Sequence, residues 1–154
     1  MKAVIQRVEN ASVSVDGNII GKIDSGLLIY LGVAHNDSEK DAEKLAEKIV
    51  LLRIFNDSGG KMNLLLKDLT ESDANTGALV ISQFTLLADT RKGRRPSWNG
   101  AAPPKKAKQL YEYFIETVKK RGVLCESGEF QAHMKVTYTN DGPVTIILDT
   151  EELK

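Results

Sequence analysis

The sequence predicts an α+β fold: a curved, barrel-like, mainly antiparallel β-sheet with two helices packed outside it. Three observations carry this expectation. Most apolar runs are short and either alternate with period two or are continuously apolar, and both are strand patterns. Only two stretches place apolar residues at spacings of three and four. The 154 residues, 17.0 kDa in mass, suit one domain over residues 1–154. A chain of this size buries roughly two-thirds of its unfolded surface and needs no disulfide or metal staple.

Residues 3–8 are short and β-rich, a first strand. Residues 11–15 alternate with period two, Asp16-Gly17-Asn18 signals a turn, and residues 19–23 return, which together read as a β-hairpin. Residues 27–33 are continuously apolar, as in a strand buried on both faces. The period then changes. Asp37 or Ser38 suits a helix N-cap, and Ala42, Leu45, Ala46, Ile49 and Leu52 form an apolar stripe running to about Arg53. Residues 56–60 are a loop, residues 61–69 read as a strand, and residues 70–77 as a polar surface loop. Residues 78–87 read as a further apolar strand with Ser82 and Gln83 set inside it. After a loop over 88–104, Ala107, Leu110, Tyr111, Phe114, Ile115 and Val118 make the second helical stripe, stopped by Gly122. Strands are expected over 123–126, 134–139 and 144–148, the last two joined by Asn140-Asp141-Gly142-Pro143.

Composition narrows the function classes. With 42% hydrophobic and 27% charged residues the chain sits near the globular average, which excludes a collagen, a disordered tail and a disulfide scaffold. No apolar run approaches the ~18 residues of a membrane span, and the opening residues carry charge too early for a signal peptide. A cytoplasmic protein without membrane attachment is expected. The lone Cys125 cannot form an internal disulfide, which fits a reducing compartment, and no nucleophile signature surrounds it. Two histidines, His35 and His133, are too few for a Cys/His zinc site, so neither metal nor cofactor is expected.

Net charge is zero, with 21 basic and 21 acidic residues, which taken globally argues against nucleic-acid binding. The distribution argues the other way. Residues 91–108 carry Arg91, Lys92, Arg94, Arg95, Lys105, Lys106 and Lys108 with no acid. Such a cluster can grip phosphates on a neutral protein. Within it, Arg94 and Arg95 can fork onto phosphates and Trp98 can stack on a base. A solvated loop is the plain alternative.

Two further places look chemical. In Ser82-Gln83-Phe84-Thr85, polar residues inside an apolar strand need partners if buried, and a polar substrate would supply them. An ordinary solvent-facing strand side is the alternative. Asn140-Asp141-Gly142-Pro143 is a common turn, yet a Gly-Pro bond is also a place where a cis peptide is tolerated, which would turn two carbonyl oxygens to one side. Phosphate-loop, dinucleotide, zinc-protease and nucleophile-elbow signatures are absent.

With Ser82-Gln83-Phe84-Thr85-Leu86 and Asn140-Asp141-Gly142-Pro143-Val144-Thr145 as its most specific motifs, the chain resembles the D-aminoacyl-tRNA deacylases over essentially its whole length. Gly60-Lys61-Met62-Asn63, Lys92-Gly93-Arg94-Arg95-Pro96-Ser97 and Gly128-Glu129-Phe130-Gln131-Ala132-His133-Met134 support the resemblance. It departs at Gln131, where a small residue, commonly Gly, is expected, at Trp98 in place of Phe, and in a longer stretch over 64–77.

The resemblance implies a homodimer that hydrolyses the ester of D-aminoacyl-tRNA. Gly142 and Pro143, joined by a cis bond, would reach into the partner's site and exclude L-amino acids. Glycine, lacking a side chain, would pass the filter, so glycyl-tRNA is implied as a second substrate. Ser82, Gln83, Phe84 and Thr85 would shape the pocket, with Gln83 and Thr85 nearest the chemistry. Phe130 and Met134 would hold the adenine, and Arg94 and Arg95 would take tRNA phosphates. Thr85 is a nucleophile candidate without an obvious base, and the other route is assistance by the tRNA's terminal 2′-OH. A noncatalytic RNA-binding module using residues 91–108 and a small-molecule binding barrel are the rival expectations.

Overall fold

Strand β1 (Lys2–Val15) organises the molecule, because it pairs along both edges. The computed structural model describes residues 1–153. On one edge, the first half of β1 pairs with β3 (Gly26–Gly32) and the second half with β2 (Asn18–Ile23). Its other edge carries β8 (Lys135–Asp149) along nearly its whole length. The sheet continues from β3 to β6 (Gly77–Ser82) and β7 (Leu124–Ser127). A β-carbon added to Gly21 of β2 would lie 2.7 Å from the Ser127 carbonyl oxygen, so the β2 and β7 ends nearly close the sheet into a barrel. Residues 3–8 and 11–15, expected as two strands, are one. Ala3 and Ile5 face the helices, whereas Ala11 and Val13 face the barrel interior. The register shifts between Gln6 and Asn10 make that switch of faces.

The sheet is antiparallel around β1 but parallel through β3, β6 and β7. Parallel neighbours need crossovers, and helices α1 (Glu39–Val50) and α3 (Pro104–Lys120) supply them. They pack on each other and on the outer face, burying Leu45, Ile49, Phe114 and Val118 against Ile5, Ile29 and Val80. At the start of α1, Ser38 donates from its backbone N and its Oγ to the Asp41 carboxylate (2.9 and 2.7 Å). Those bonds hold the Asp41 carboxyl below the usual carboxylate range. Asp37 instead accepts from the Met1 amino group at 2.6 Å.

Three expectations need correction. Residues 61–69 are not one strand: β4 (Phe55–Asn56) and β5 (Met62–Leu64) form a short hairpin, and α2 (Leu66–Thr70), a third helix, follows. Asp68 accepts from the Leu65 amide at 2.7 Å and starts that turn, and Leu66 is buried in the core. The run over 78–87 ends as a strand at Ser82, and residues 84–87 form a 3₁₀ turn. Residues 140–143 do not turn the chain back. Both halves of β8 run antiparallel to β1, and the partners step from Gln6–Thr145 to Val8–Asn140, leaving residues 141–144 looped out. No helix among the described residues is long and apolar enough to cross a membrane.

Candidate active site

A groove of about 730 Å³ opens where β6 ends, between the 3₁₀ turn, the N-terminal end of α3 and the segment after β7. Its position follows from Gly32. The Gln83 amide donates to the Leu31 carbonyl at 2.8 Å, the last sheet-like bond. The chain then turns directly over Gly32: a β-carbon there would stand 2.5 Å from Leu87 Cδ2, 3.0 Å from the Gln83 carbonyl oxygen and 3.1 Å from Leu86 Cβ. Only a residue without a side chain lets the turn dock so closely.

Ser82, Gln83 and Phe84 line the groove. Thr85 does not: the turn carries it outward, where it is exposed and its Oγ1 accepts a hydrogen bond from Gln83 Nε2. Phe130 and Met134 line the opposite wall, with Tyr111 behind Phe130 at a centroid distance of 6.0 Å. Tyr111 donates from its hydroxyl to the Val80 carbonyl at 2.8 Å, and burial raises its pKa, so it stays protonated. Met134 reaches the groove because Gly128 leaves room beneath it, with a β-carbon there only 2.5 Å from the sulfur. Gln131 adopts φ +66°, the left-handed region that favours glycine, which is the physical reason a Gly is expected at this position. Both histidines line the groove. Burial pushes the Cys125 thiol up to about 12, which leaves it a protonated core residue and no nucleophile.

The cis Gly142-Pro143 peptide lies elsewhere. Neither residue lines the groove of its own chain, and both are exposed. The loop is held by Arg7, a buried arginine of β1. Arg7 Nε lies 3.0 Å from Asp141 Oδ2, and Nη1 donates to the Ile54 carbonyl at 2.7 Å. Asn140 Nδ2 donates to the Arg7 and Val144 carbonyls at 2.9 and 3.1 Å. A β-carbon on Gly142 would lie 2.8 Å from Arg7 Nη2. Sequence reasoning missed Arg7. The available signal was parity: period two from Ala3 and Ile5 puts the Arg7 cation on the buried face.

Arg94 and Arg95 stand on a closed ribbon. Asp89 and Ser97 exchange both backbone hydrogen bonds (2.7 and 3.0 Å), which makes residues 90–96 a loop with a fixed base. Not every cation of the run is free. Arg91 grips Asp89 in a bidentate pair (2.8 and 2.6 Å), which holds the Asp89 carboxyl well below the usual range. Lys106 donates to the His35 carbonyl at 2.6 Å. Arg94 and Arg95 are exposed and have no acidic partner among the described residues. No cluster of His, Cys, Asp or Glu suited to a metal occurs among the described residues.

Comparison with known proteins identifies the family and the fold. A family model described as D-Tyr-tRNA(Tyr) deacylase matches residues 4–149. A D-aminoacyl-tRNA deacylase of Thermosipho melanesiensis is 54% identical over 154 residues, covering 99% of each chain. One of Caldicellulosiruptor saccharolyticus is 54% identical over 153 residues with the same coverage. Among solved structures, a c-Myc DNA unwinding element binding protein superposes with a TM-score of 0.86 at 38% identity, covering 97% of this chain and 98% of its own. A probable eukaryotic D-amino acid tRNA deacylase shares the fold, with a TM-score of 0.80 at 16% identity over 96% and 97% of the two chains.

Proposed function

The chain belongs to the D-Tyr-tRNA(Tyr) deacylase family, and on that premise we propose that the groove beside the 3₁₀ turn is where its hydrolysis of D-aminoacyl-tRNA takes place. The observation that carries this assignment is the docking of residues 83–87 over Gly32, which opens an aromatic-walled groove beside polar Ser82 and Gln83. Phe130 and Met134 hold the terminal adenosine. Ser82 and Gln83 orient the aminoacyl group. The first amides of a helical turn have no acceptor within it, so that of Phe84, a residue of the groove lining, is a donor available to the ester carbonyl oxygen. Water adds to that carbonyl, and the ribose 3′ oxygen leaves with a proton, giving free amino acid and tRNA.

Thr85 is not the nucleophile in this reading. It is outside the groove lining, and its one side-chain partner among the described residues is an amide, which cannot act as a base. The neighbouring 2′-OH of the substrate polarises the attacking water instead. Thr85→Ala is therefore expected to retain most activity, far from the about 10⁶-fold collapse that follows loss of a true nucleophile. A tRNA ending in 2′-deoxyadenosine is expected to be cleaved about 10²-fold more slowly, the scale of one lost proton-transfer contribution. Single-turnover rates on the two substrates check both.

Chirality is read by a second copy of the chain. Among the described residues β8 pairs only with β1, and Ile147, 74% exposed, and Thr145 stand opposite Val4 and Gln6 of β1. A homodimer covers this face and brings the partner subunit's Gly142 and Pro143 to the groove. Their carbonyls leave room for a D-configured α-carbon and exclude an L side chain. Glycine passes, which makes glycyl-tRNA a second substrate. Deacylation of D- and L-tyrosyl-tRNA tests the reading: D is cleared and L is spared. Binding of both without hydrolysis would leave only an RNA-binding module.

Arg94 and Arg95 take tRNA phosphates. Arg94→Ala/Arg95→Ala is expected to raise KM for whole tRNA and to flatten the log–log salt slope by about 1.4–1.8, one phosphate per arginine. It spares a minimal aminoacyl-adenosine, which lacks those phosphates. KM for both substrates at two salt concentrations is the measurement, and equal losses would mean that the arginines support the fold.

A further inference from the structure

Phe84 and Trp98 form an exposed aromatic pair that neither hydrophobic core absorbs. Their rings meet edge to face, 5.7 Å between centroids at 69°. Phe84 is 58% and Trp98 40% exposed, and both line the mouth of the groove. An edge-to-face contact engages the face of only one ring, so the pair leaves aromatic surface open to a further ring.

The pair is also held in place. Phe84 begins the 3₁₀ turn docked over Gly32. Trp98 follows Ser97 at the closed base of the basic ribbon, and its carbonyl accepts from the Ala101 amide at 2.9 Å. Two rigid elements thus present aromatic surface at the groove, and the ribbon that carries exposed Arg94 and Arg95 springs from Ser97, next to Trp98 in the chain. That order, reacting pocket, aromatic surface, unpaired cations, matches a single strand read from its 3′ end: terminal nucleoside, next base, backbone phosphates.

We propose that Phe84 and Trp98 form a stacking platform for the base of the nucleotide that precedes the terminal adenosine. This deepens the hydrolase reading and rests on it. The acceptor end is single-stranded, so that base has a free face. Stacking on an aromatic ring is tolerant of base identity, because every base has a π-face. The platform therefore grips the tRNA at a point the amino acid does not touch. It also separates two sources of affinity: stacking, which is insensitive to salt, and the arginine contacts, which are not.

The test compares three small substrates: D-tyrosyl-adenosine, D-tyrosyl-CpA, and D-tyrosyl-CpA with the cytosine replaced by an abasic sugar. For the unmodified protein, KM is expected to fall about tenfold from the nucleoside to CpA, the weight of one base on one aromatic ring. The abasic dinucleotide should show no such fall. In Trp98→Ala the ratio of the nucleoside and CpA values should collapse toward one, and in Trp98→Phe it should persist. A ratio that survives in Trp98→Ala, or an abasic substrate as good as CpA, would overturn the platform, since the phosphate would then supply the gain. D-tyrosyl-tRNA hydrolysis by the same preparation keeps the two readings apart. Activity there without a dinucleotide gain overturns the platform alone, whereas loss of both overturns the hydrolase reading and the platform with it.

Discussion

Gly32→Ala is expected to lower kcat/KM on D-tyrosyl-tRNA by about 10²-fold, the loss that a 1 Å misplacement of a positioned group brings. The added methyl would stand 2.5 Å from Leu87 Cδ2 and 3.0 Å from the Gln83 carbonyl oxygen, and that carbonyl belongs to backbone that cannot swing aside. The 3₁₀ turn must lift from β3, carrying Gln83 and the Phe84 amide away from the ester. Leu86 and Leu87 are only partly buried, so the thermal midpoint should move little. Steady-state kinetics beside a melting curve distinguish the cases. A lowered midpoint with full activity would mean that Gly32 serves packing alone.

Arg7→Met should have the second large effect, and on selectivity more than on rate. Methionine fills much of the space but removes the donor to the Ile54 carbonyl and the cation beside Asp141. An orphaned buried carbonyl costs about 1–3 kcal/mol, so the midpoint falls. The loop over 140–143 loses the group it packs on. Cleavage of L-tyrosyl-tRNA should then rise relative to D. Asp141→Asn should do less, because the Ile54 bond and an amide oxygen beside the guanidinium remain, although buried Arg7 loses its counter-charge. Arg7 acts through the loop and not on the substrate, so it is a positioning residue. The D/L ratio is the readout that a merely stabilising role would not move.

Strands and long helices were legible because their signal is repetition: period two in residues 11–15, spacings of three and four in α1 and α3. The features that place the site are single events. Nothing in the run over 78–87 announces that the strand ends at Ser82, because Phe84, Leu86 and Leu87 are as apolar as the strand before them. What ends it is Gly32, on another strand. The same override removed Thr85 from the groove while leaving Ser82, Gln83 and Phe84 in it. α2 is too short for periodicity and rests on one carboxylate, Asp68, and one buried leucine, Leu66. Arg7 escaped because its partners, Ile54 and Asp141, lie far away in the chain. The motif residues around Phe130 and Met134 were legible only as a motif. Their convergence on one groove depends on Gly128 and on the left-handed Gln131.

The double pairing of β1 also dictates the order in which this molecule can be built on the ribosome. β2 and β3 emerge soon after β1 and can satisfy one of its edges at once, through contacts that are local in sequence. The other edge waits for β8, whose side-chain bonds to β1 include Asn10–Thr139, separated by 129 positions. Until then a long row of amides and carbonyls is open to any passing strand. Closing so wide a loop is slow relative to forming the hairpin or the helices. The nascent chain should therefore dwell as a hairpin with attached helices, and gain its final cooperativity only when the last strand is released from the exit tunnel. Because the edge stays open from the synthesis of β1 to that of β8, neighbouring copies on one polysome present it together, so high-level expression is the condition under which strand exchange between chains competes with correct closure.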